Sequence, residues 1–289
     1  MLPLLHILGY QWLDWNFHLD VILLCLVMEA VYLYVVLYLR PVLSDAGRVR
    51  RTQALLFSLG VLTIYAASGS PLHDLADHYL MAAHMTQHLL LTMVAAPLLV
   101  AGTPGWMWQA LLRQPGMMAV GRRITHPVMA IAIFNTALLM FHLPETIELQ
   151  VEYWWFHLGA HIALVCAGLV LWWPILSQSP ELPRVSYPLQ MGYLFAQSLL
   201  PSVMASFVTF ADSVVYSSYA DAPRIWGISP IADQQIGGGI MKVGGSLILW
   251  AFIGVAFFKW FAQEEAEARG LPWGEVQAEL DEMGLTARR

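Results

Sequence analysis

Charged side chains are scarce in this sequence of 289 residues. Asp, Glu, Lys and Arg make up 12% of the chain, whereas a soluble globular domain usually carries about 25%. So few charges do not cover the surface of a water-soluble domain of this size, which excludes an ordinary soluble enzyme and a disordered protein. The formal net charge of -6 argues against nucleic acid as a partner, because binding to phosphates requires concentrated Lys and Arg.

Cysteine and the common hydrolase motifs are lacking as well. The two cysteines, Cys25 and Cys166, lie in separate apolar runs and provide neither a disulfide framework nor a Cys-x-x-Cys metal site. The sequence contains no His-Glu-x-x-His and no Gly-x-Ser-x-Gly motif. We therefore do not expect the protein to be an enzyme.

Long apolar runs dominate what is present. Hydrophobic residues make up 58% of the chain, and the mean hydropathy is +0.59. A helix needs about 20 apolar residues to cross a bilayer, and the sequence predicts an all-α, polytopic membrane helix bundle with seven transmembrane helices. This bundle occupies residues 1–262, and residues 263–289 form an acidic tail helix. The predicted spans are Leu19–Leu39, Ala54–Ala67, Tyr79–Val100, Val128–Leu143, Trp154–Leu176, Tyr187–Ala211 and Ile236–Phe261.

The basic residues predict the orientation of the bundle. The first, third and fifth loops and the tail hold nearly all of the 14 Lys and Arg residues. The loops on the other side hold only Arg224, and Lys242 lies within the last span. Because cytoplasmic loops are enriched in Lys and Arg, we expect the N-terminus outside and the C-terminus in the cytoplasm.

Histidines show the opposite distribution. With this topology, His126 is the only one of the ten histidines on the cytoplasmic side, and the others lie outside or in the outer halves of the spans. His6 and His18 carry no pattern, and we expect them to be solvated terminal residues. Side-chain packing alone gives no reason for histidine to prefer one side of the bilayer. The asymmetry therefore indicates a function at the extracytoplasmic side.

Two histidine pairs have helical spacing. His84 and His88 open the third span, and His157 and His161 open the fifth. Residues four apart lie on one helix face, about 6 Å from each other. Both helices run inward from the outer side, so the pairs lie at similar depth and could meet if the helices are neighbours.

Further potential ligands lie close to these pairs. Neutral imidazole binds Cu, Zn, Fe and Ni, and thioether sulfur favours Cu(I). Histidine and methionine without cysteine, near an oxidising compartment, fit copper best. The alternative is that the histidines are hydrogen-bonding groups between helices. The predicted metal ligands are His84, His88, His157, His161, His142, Met81 and Met85.

Several polar residues before the third and seventh spans are candidates for a supporting role. His73, Asp77 and His78 lie in a predicted loop that could capture an ion and feed the His84 pair; the alternative is a hydrophilic loop with a capping Asp. Asp233 is expected to cap its own helix, although it also faces the predicted site.

Two charged residues lie within predicted spans. Glu29 lies about 16 Å into the first helix, counted at 1.5 Å per residue, and Lys242 lies in the last. A charge at this depth is costly unless it is paired. We expect structural pairing, with each other or with other polar groups; the alternative is a gate or relay for ion entry.

These motifs resemble those of a known family. They are the run His84-Met85-Thr86-Gln87-His88 with Ala96-Pro97, the run Phe141-His142-Leu143-Pro144, the His157 and His161 pair with Trp172-Trp173-Pro174, and the run Asp233-Gln234-Gln235. Together they resemble the motifs of the CtaG-type assembly factors of caa-type cytochrome c oxidase. The resemblance covers about residues 20–260, with the motifs in the same order. It implies that His84, His88, His142, His157, His161 and Asp233 are the matching polar positions.

The resemblance also implies a function. It implies a multi-pass protein of the bacterial plasma membrane, with oxidase subunits or other copper chaperones as partners, which supplies copper during oxidase maturation in the respiratory chain. We therefore expect a membrane metallochaperone with an extracytoplasmic copper site. Two alternatives remain open at this point: a haem-binding membrane redox protein and a copper transporter.

Overall fold

The computed structural model describes residues 16, 18–40 and 49–270, which form helices and connecting segments without any strand. The helices are α1 (Leu19–Leu39), α2 (Arg51–Ser68), α3 (Pro71–His78), α4 (Met81–Gly102), α5 (Gly105–Leu112), α6 (Met117–Ile124), α7 (Pro127–Phe141), α8 (Pro144–Glu152), α9 (Trp154–Leu176), α10 (Tyr187–Thr209) and α11 (Ser217–Ala220). The last helix, α12, comprises Pro230–Gly239, a π-helical turn at Ile240–Gly244, and Gly245–Gly270.

Five of these helices, α1, α4, α9, α10 and α12, are long and apolar enough to cross a membrane. Two bent pairs also pass when each is taken together: α2 with α3, bent by 42°, and α6 with α7, bent by 78°. The described residues thus contain five to seven candidate spans, which confirms an all-helical, multi-pass membrane protein. The two predicted spans that were shortest, Ala54–Ala67 and Val128–Leu143, lie in the bent pairs.

Helix ends agree closely with the apolar runs at several places. α1 and α9 begin and end at the predicted residues, and α10 begins at the predicted Tyr187. The last helix begins earlier, at Pro230, and continues into the acidic tail as far as Gly270. The rest of the predicted tail helix, residues 271–289, lies outside the described residues, as does His6.

α4 forms the centre of the bundle. In its most apolar stretch, 67% of the residues are buried, against 17% in α1 and 11% in α12. It packs against α2, α9 and α12. Gly168 permits the close approach of α9, because a Cβ atom at this position would lie 2.9 Å from the Cβ of Ala96. The helices that carry the two histidine pairs are therefore direct neighbours.

A π-helical turn at Leu90–Ala95 interrupts α4 and begins two residues after His88. Pro97 has no N–H to donate, so it cannot continue the regular hydrogen-bond ladder of the preceding turn. The indole N–H of Trp172, on α9, donates to the carbonyl oxygen of Thr92 within this turn at 2.9 Å. Turns of this kind are frequent at functional sites.

Contacts between helix ends show that α4, α9 and α12 run in the same direction. Asp233, near the start of α12, accepts a hydrogen bond from the backbone N–H of Met81 at the start of α4. At the opposite end of the bundle, Gln178 follows α9 and donates to the carbonyl oxygen of Ala101, near the end of α4. The end of the bundle that contains Met81 and Asp233 is called the histidine end below.

The predicted loop at residues 73–78 is wrong, because this segment is the short helix α3. Ser70 caps the helix by accepting a hydrogen bond from the N–H of Leu72 at 3.2 Å, and Pro71 occupies the first turn. These start signals are present in the sequence, but the segment is too short and polar to show an apolar period. As a helix, it holds His73 and Asp77 on one face.

Candidate metal centre

Four histidines from α4 and α9 lie in the interior at the histidine end. His84 and His88 are 1% and 2% exposed, with ring centroids 4.2 Å apart. His157 and His161 are 4% and 6% exposed, and their ring centroids are also 4.2 Å apart. The four-residue spacing places each pair on one helix face.

The two pairs form one cluster. The ring centroids of His84 and His157 are 5.7 Å apart, and those of His88 and His161 are 5.4 Å apart. The nearest contact within α9 joins the Nε2 atoms of His157 and His161 at 2.9 Å. The structure thus brings the four predicted histidines together, in the arrangement expected if α4 and α9 are neighbours.

His142, after the end of α7, holds one side of this cluster. Its Nδ1 lies 2.7 Å from the carbonyl oxygen of Leu138, which can only accept, so Nδ1 carries the proton and donates. Its Nε2 is then an acceptor when the ring is neutral, and it lies 3.2 Å from Nδ1 of His88. His88 therefore donates from Nδ1, and its Nε2 keeps a lone pair.

Three imidazole nitrogens of the cluster are buried without a hydrogen-bond partner among the described residues. They are Nδ1 and Nε2 of His84 and Nε2 of His88, called the open nitrogens below. A buried polar atom left without a partner costs about 1–3 kcal/mol, and most buried polar groups are paired. A cation would provide the missing partner for the lone pairs of both rings.

A second group lies between α3 and α9. One ligand atom each from His73, Asp77 and His157 lies within 4.8 Å of the others, which is close enough to hold a metal ion. Nε2 of His73 lies 3.5 Å from one oxygen of Asp77, and Nδ1 of His157 lies 3.2 Å from the other. His157 therefore joins this group, called the outer group below, to the buried cluster.

Sequence reasoning missed three residues beside the outer group. Nε2 of Gln87, in α4, lies 2.9 Å from Nδ1 of His73. The ring of His18 lies edge to face against that of His73, with the ring centroids 4.5 Å apart, and Nε2 of His18 lies 3.3 Å from Oδ1 of Asp74. We expected His18 to be a solvated terminal residue, and that expectation is wrong because α1 begins against α3. Gln87 carried a signal, since it lies between the paired histidines of the motif.

Asp233 does not cap its own helix, so the predicted capping role is wrong in that form. Ser229 caps α12 by accepting from the N–H of Ala232, while Asp233 accepts from the backbone N–H groups of Met81 and Ala82 at 2.8 and 3.0 Å. A carboxylate on these groups stabilises the positive end of the α4 dipole. Asp233 thus fixes the helix that carries His84 and His88.

The two methionines predicted as ligands lie in a neighbouring apolar cluster. Met81 and Met85 are fully buried and pack with Ile147, Tyr216 and Tyr219. Burial of an unbranched thioether in such a cluster is also how methionine fills a core. Their role as ligands stays a prediction.

The charged residues within the spans do not pair with each other. Glu29 accepts a hydrogen bond from Ser58 in α2 at 2.7 Å, and Lys242 donates to Ser206 in α10 at 3.0 Å. The ammonium of Lys242 also lies 5.1 Å from the ring centroid of Phe210. Each charge has a polar partner on an adjacent helix, as structural pairing predicts.

Two of the described histidines lie apart from the cluster. His78 is exposed at the end of α3, with its ring centroid 6.4 Å from that of Tyr79. His126 is exposed before α7, at the end of the bundle opposite to the cluster. His78 is therefore not a part of the outer group that the structure forms from the same segment.

The fold and this cluster define a multi-pass membrane protein with a group of His and Asp side chains that can hold a metal ion. The chain belongs to the cytochrome c oxidase caa3 assembly factor family (Caa3_CtaG), whose family model matches residues 30–263. This range includes both histidine pairs, His142 and Asp233, and it confirms the family expected from the motifs.

Curated relatives occur in mycobacteria. The chain is 27% identical over 175 residues to uncharacterized proteins of Mycobacterium bovis and Mycobacterium tuberculosis, which covers 55% of this chain and 26% of each relative. It is 25% identical over 203 residues to an uncharacterized protein of Mycobacterium leprae, which covers 65% of this chain and 31% of that relative. The matched region thus spans about a quarter to a third of the length of these relatives. No solved structure matches the chain.

Proposed function

We propose that this protein is a non-enzymatic assembly factor that binds copper as cargo and supports its supply to cytochrome c oxidase. Membership of the caa3 assembly factor family supports a role with the oxidase. The histidine cluster is the binding site, and the outer group is the place where the ion is captured. Oxidase subunits or other copper chaperones are the partners between which the ion passes.

One observation carries this proposal: buried imidazoles from two helices converge and leave the open nitrogens without partners among the described side chains. Polar groups at membrane depth are costly, and they usually face a cavity or bind one another. Histidines that only join helices would be expected to satisfy each other. His84, with neither nitrogen paired to a described residue, does not fit that alternative.

The choice of copper follows from the ligand types. The cluster presents imidazoles and no cysteine, and the described cysteines lie elsewhere, in α1 and α9. Imidazole is a good ligand for both oxidation states of copper, whereas hard ions such as Mg²⁺ and Ca²⁺ prefer oxygen. The outer group adds one carboxylate, which suits a divalent ion at the point of entry.

The location of the site follows from the charge distribution. Arg51, Arg123 and Arg184 lie at the end of the bundle opposite to the histidine cluster. By the positive-inside rule, this supports an extracytoplasmic location of the cluster in the bacterial plasma membrane. The outer group is then the part of the site nearest to the compartment from which copper arrives. Asp77 and His73 are partly exposed, which permits such access.

A haem site is less well supported. Ring centroids in the cluster are 4.2 to 5.7 Å apart, with imidazoles in direct contact. A planar macrocycle between two of these rings would have to separate α4 from α9, whose close contact depends on Gly168. A compact ion requires no such separation.

The test is the metal content of protein purified from membranes. We expect copper in the wild-type protein and its loss in the double variant His84→Ala/His88→Ala, because the open nitrogens belong to these two residues. His126→Ala is the matched control, since this exposed histidine lies at the other end of the bundle. Copper content that is unchanged in the double variant would refute the site, and a Soret band in the wild-type spectrum would favour haem instead.

A further inference from the structure

A cavity of about 40 Å³ lies beside His88, deeper in the bundle than the histidine cluster. Residues of α4, α7, α10 and α12 line it. It has room for an ion or a few water molecules, since one water needs at least about 10–15 Å³. Met93, on its wall, is five residues beyond His88 and so lies about 7.5 Å further along α4.

The wall of this cavity is rich in soft ligands. Three methionines line it, Met85 and Met93 from α4 and Met241 from α12. His88 lines it as well, and its open Nε2 carries a lone pair because His142 fixes the proton on Nδ1. His88 is 2% exposed, so this lone pair is removed from solvent. Thioether sulfur and imidazole are the neutral ligands that Cu(I) prefers.

Hydroxyl groups on the wall add acceptors rather than donors. Thr92 donates to the carbonyl oxygen of His88 at 2.7 Å, and Ser202 donates to that of Ser198 at 2.6 Å. With their protons used in this way, both hydroxyl oxygens keep lone pairs. Gln197 lines the cavity with a buried Nε2–H group that has no partner among the described residues. A water molecule beside the ion would accept a hydrogen bond from this group.

We propose that this cavity is a second, deeper site for a soft monovalent cation, Cu(I), with His88 shared between it and the histidine cluster. This inference extends the proposed function, because it supplies the next position for the ion after the cluster. Lys242 binds Ser206, one turn of α10 from Ser202 on the wall. Its charge opposes a cation nearby and so favours weak, exchangeable binding over storage.

The experiment uses the intact protein in detergent, loaded with Cu(I) or with Ag(I) as a redox-inert soft ion. X-ray absorption at the metal edge measures sulfur and nitrogen neighbours, and titration measures the number of ions bound. We expect sulfur neighbours in the wild-type protein. The Met93→Leu/Met241→Leu variant should have fewer sulfur neighbours and bind one equivalent of metal less, and the nitrogen-ligated ion remains.

Met140→Leu is the matched control, because Met140 is 51% exposed on α7 and does not line the cavity. Met to Leu keeps the side-chain volume nearly constant and is well tolerated in a core, and the thermal melting of each variant checks this. Should the double variant fail to fold, the single variants Met93→Leu and Met241→Leu each test the same loss.

The outcomes separate this inference from the proposed function. A number of sulfur neighbours that is unchanged in the methionine variants, or the absence of sulfur neighbours in metal-loaded wild-type protein, overturns the deeper site. His157→Ala should lower the nitrogen count and leave the sulfur neighbours in place. If all of the bound metal has sulfur neighbours and no ion is ligated by imidazole alone, the deeper site stands and the histidine cluster fails as the binding site. Absence of any bound Cu(I) or Ag(I) overturns both.

Discussion

Replacement of His142 by alanine tests how the cluster is organised. The structure makes His142 a positioning residue, because both of its ring nitrogens are already in hydrogen bonds, to Leu138 and to His88. His142→Ala removes the acceptor for Nδ1–H of His88. The ring proton of His88 can then move from Nδ1 to Nε2, and Nε2 no longer has a lone pair with which to bind a metal ion.

The expected size of this effect follows from comparable positions in metal sites. Loss of a group that orients a ligating histidine typically lowers metal affinity by about 10–100-fold, which corresponds to about 1.4–2.7 kcal/mol. Loss of a ligand itself would change the number of coordinating imidazoles as well. His142→Gln should recover a part of the affinity, because its side-chain oxygen can accept the proton of His88 from a similar place.

The assay is competition for Cu(I) with a chromophoric chelator in detergent, combined with X-ray absorption to count imidazole ligands. We expect weaker binding in His142→Ala with the ligand count unchanged, partial recovery in His142→Gln, and no effect of His78→Ala as a control. A ligand count that falls by one in both His142 variants would show that His142 binds the metal directly. Unchanged affinity in His142→Ala would show that the hydrogen bond has no bearing on the site.

Two further predictions concern residues around the cluster. Asp77→Asn removes the carboxylate of the outer group but keeps the shape of the side chain. We therefore expect slower copper uptake at limiting copper concentration, with a copper content at saturation near that of the wild type. An equal decrease in the uptake rate and in the content at saturation would place Asp77 in the main site. Asp233→Ala removes the cap of α4, and caps of this kind contribute about 0.5–2 kcal/mol to stability. We therefore expect a lower melting temperature in detergent. Asp221→Ala is the control, because Asp221 is exposed. An unchanged melting temperature would contradict the capping role.

The parts of the site that were predictable depend on spacing along one helix. Residues four apart share a face in any helix, so His84 with His88, and His157 with His161, could be paired from the sequence. The apolar runs that define α1 and α9 are also local, and their ends were predicted to the residue. Convergence of the pairs followed only because both helices run in the same direction at similar depth.

The parts that could not be predicted depend on contacts between distant segments. Asp233 caps a helix that begins 152 positions earlier in the chain, and no local pattern distinguishes this from capping of its own helix. The contact of His18 with Asp74 requires the start of α1 to lie against α3. The role of His142 depends on which nitrogen carries the proton, and this follows only from the distances of Nδ1 to Leu138 and of Nε2 to His88.

The position of His88 connects these observations. It belongs to the imidazole cluster through its contacts with His84 and His161, and it also lines the deeper cavity. The π-helical turn begins two residues after it, at Leu90, so the helix changes its hydrogen-bond pattern where the polar cluster gives way to the methionine-lined cavity. A widened turn at that point rotates the residues that follow, so it affects which residues of α4 face the cavity.

This arrangement makes the order of events testable. If the ion moves from the outer group to the cluster and then to the cavity, Asp77→Asn should slow loading of both inner sites, whereas the methionine variants should leave loading of the cluster unchanged. Time-resolved metal uptake with nitrogen and sulfur neighbours measured separately would show this order. Sulfur ligation that develops before nitrogen ligation would contradict entry through the outer group, because Met93 on the cavity wall lies beyond His88 along α4.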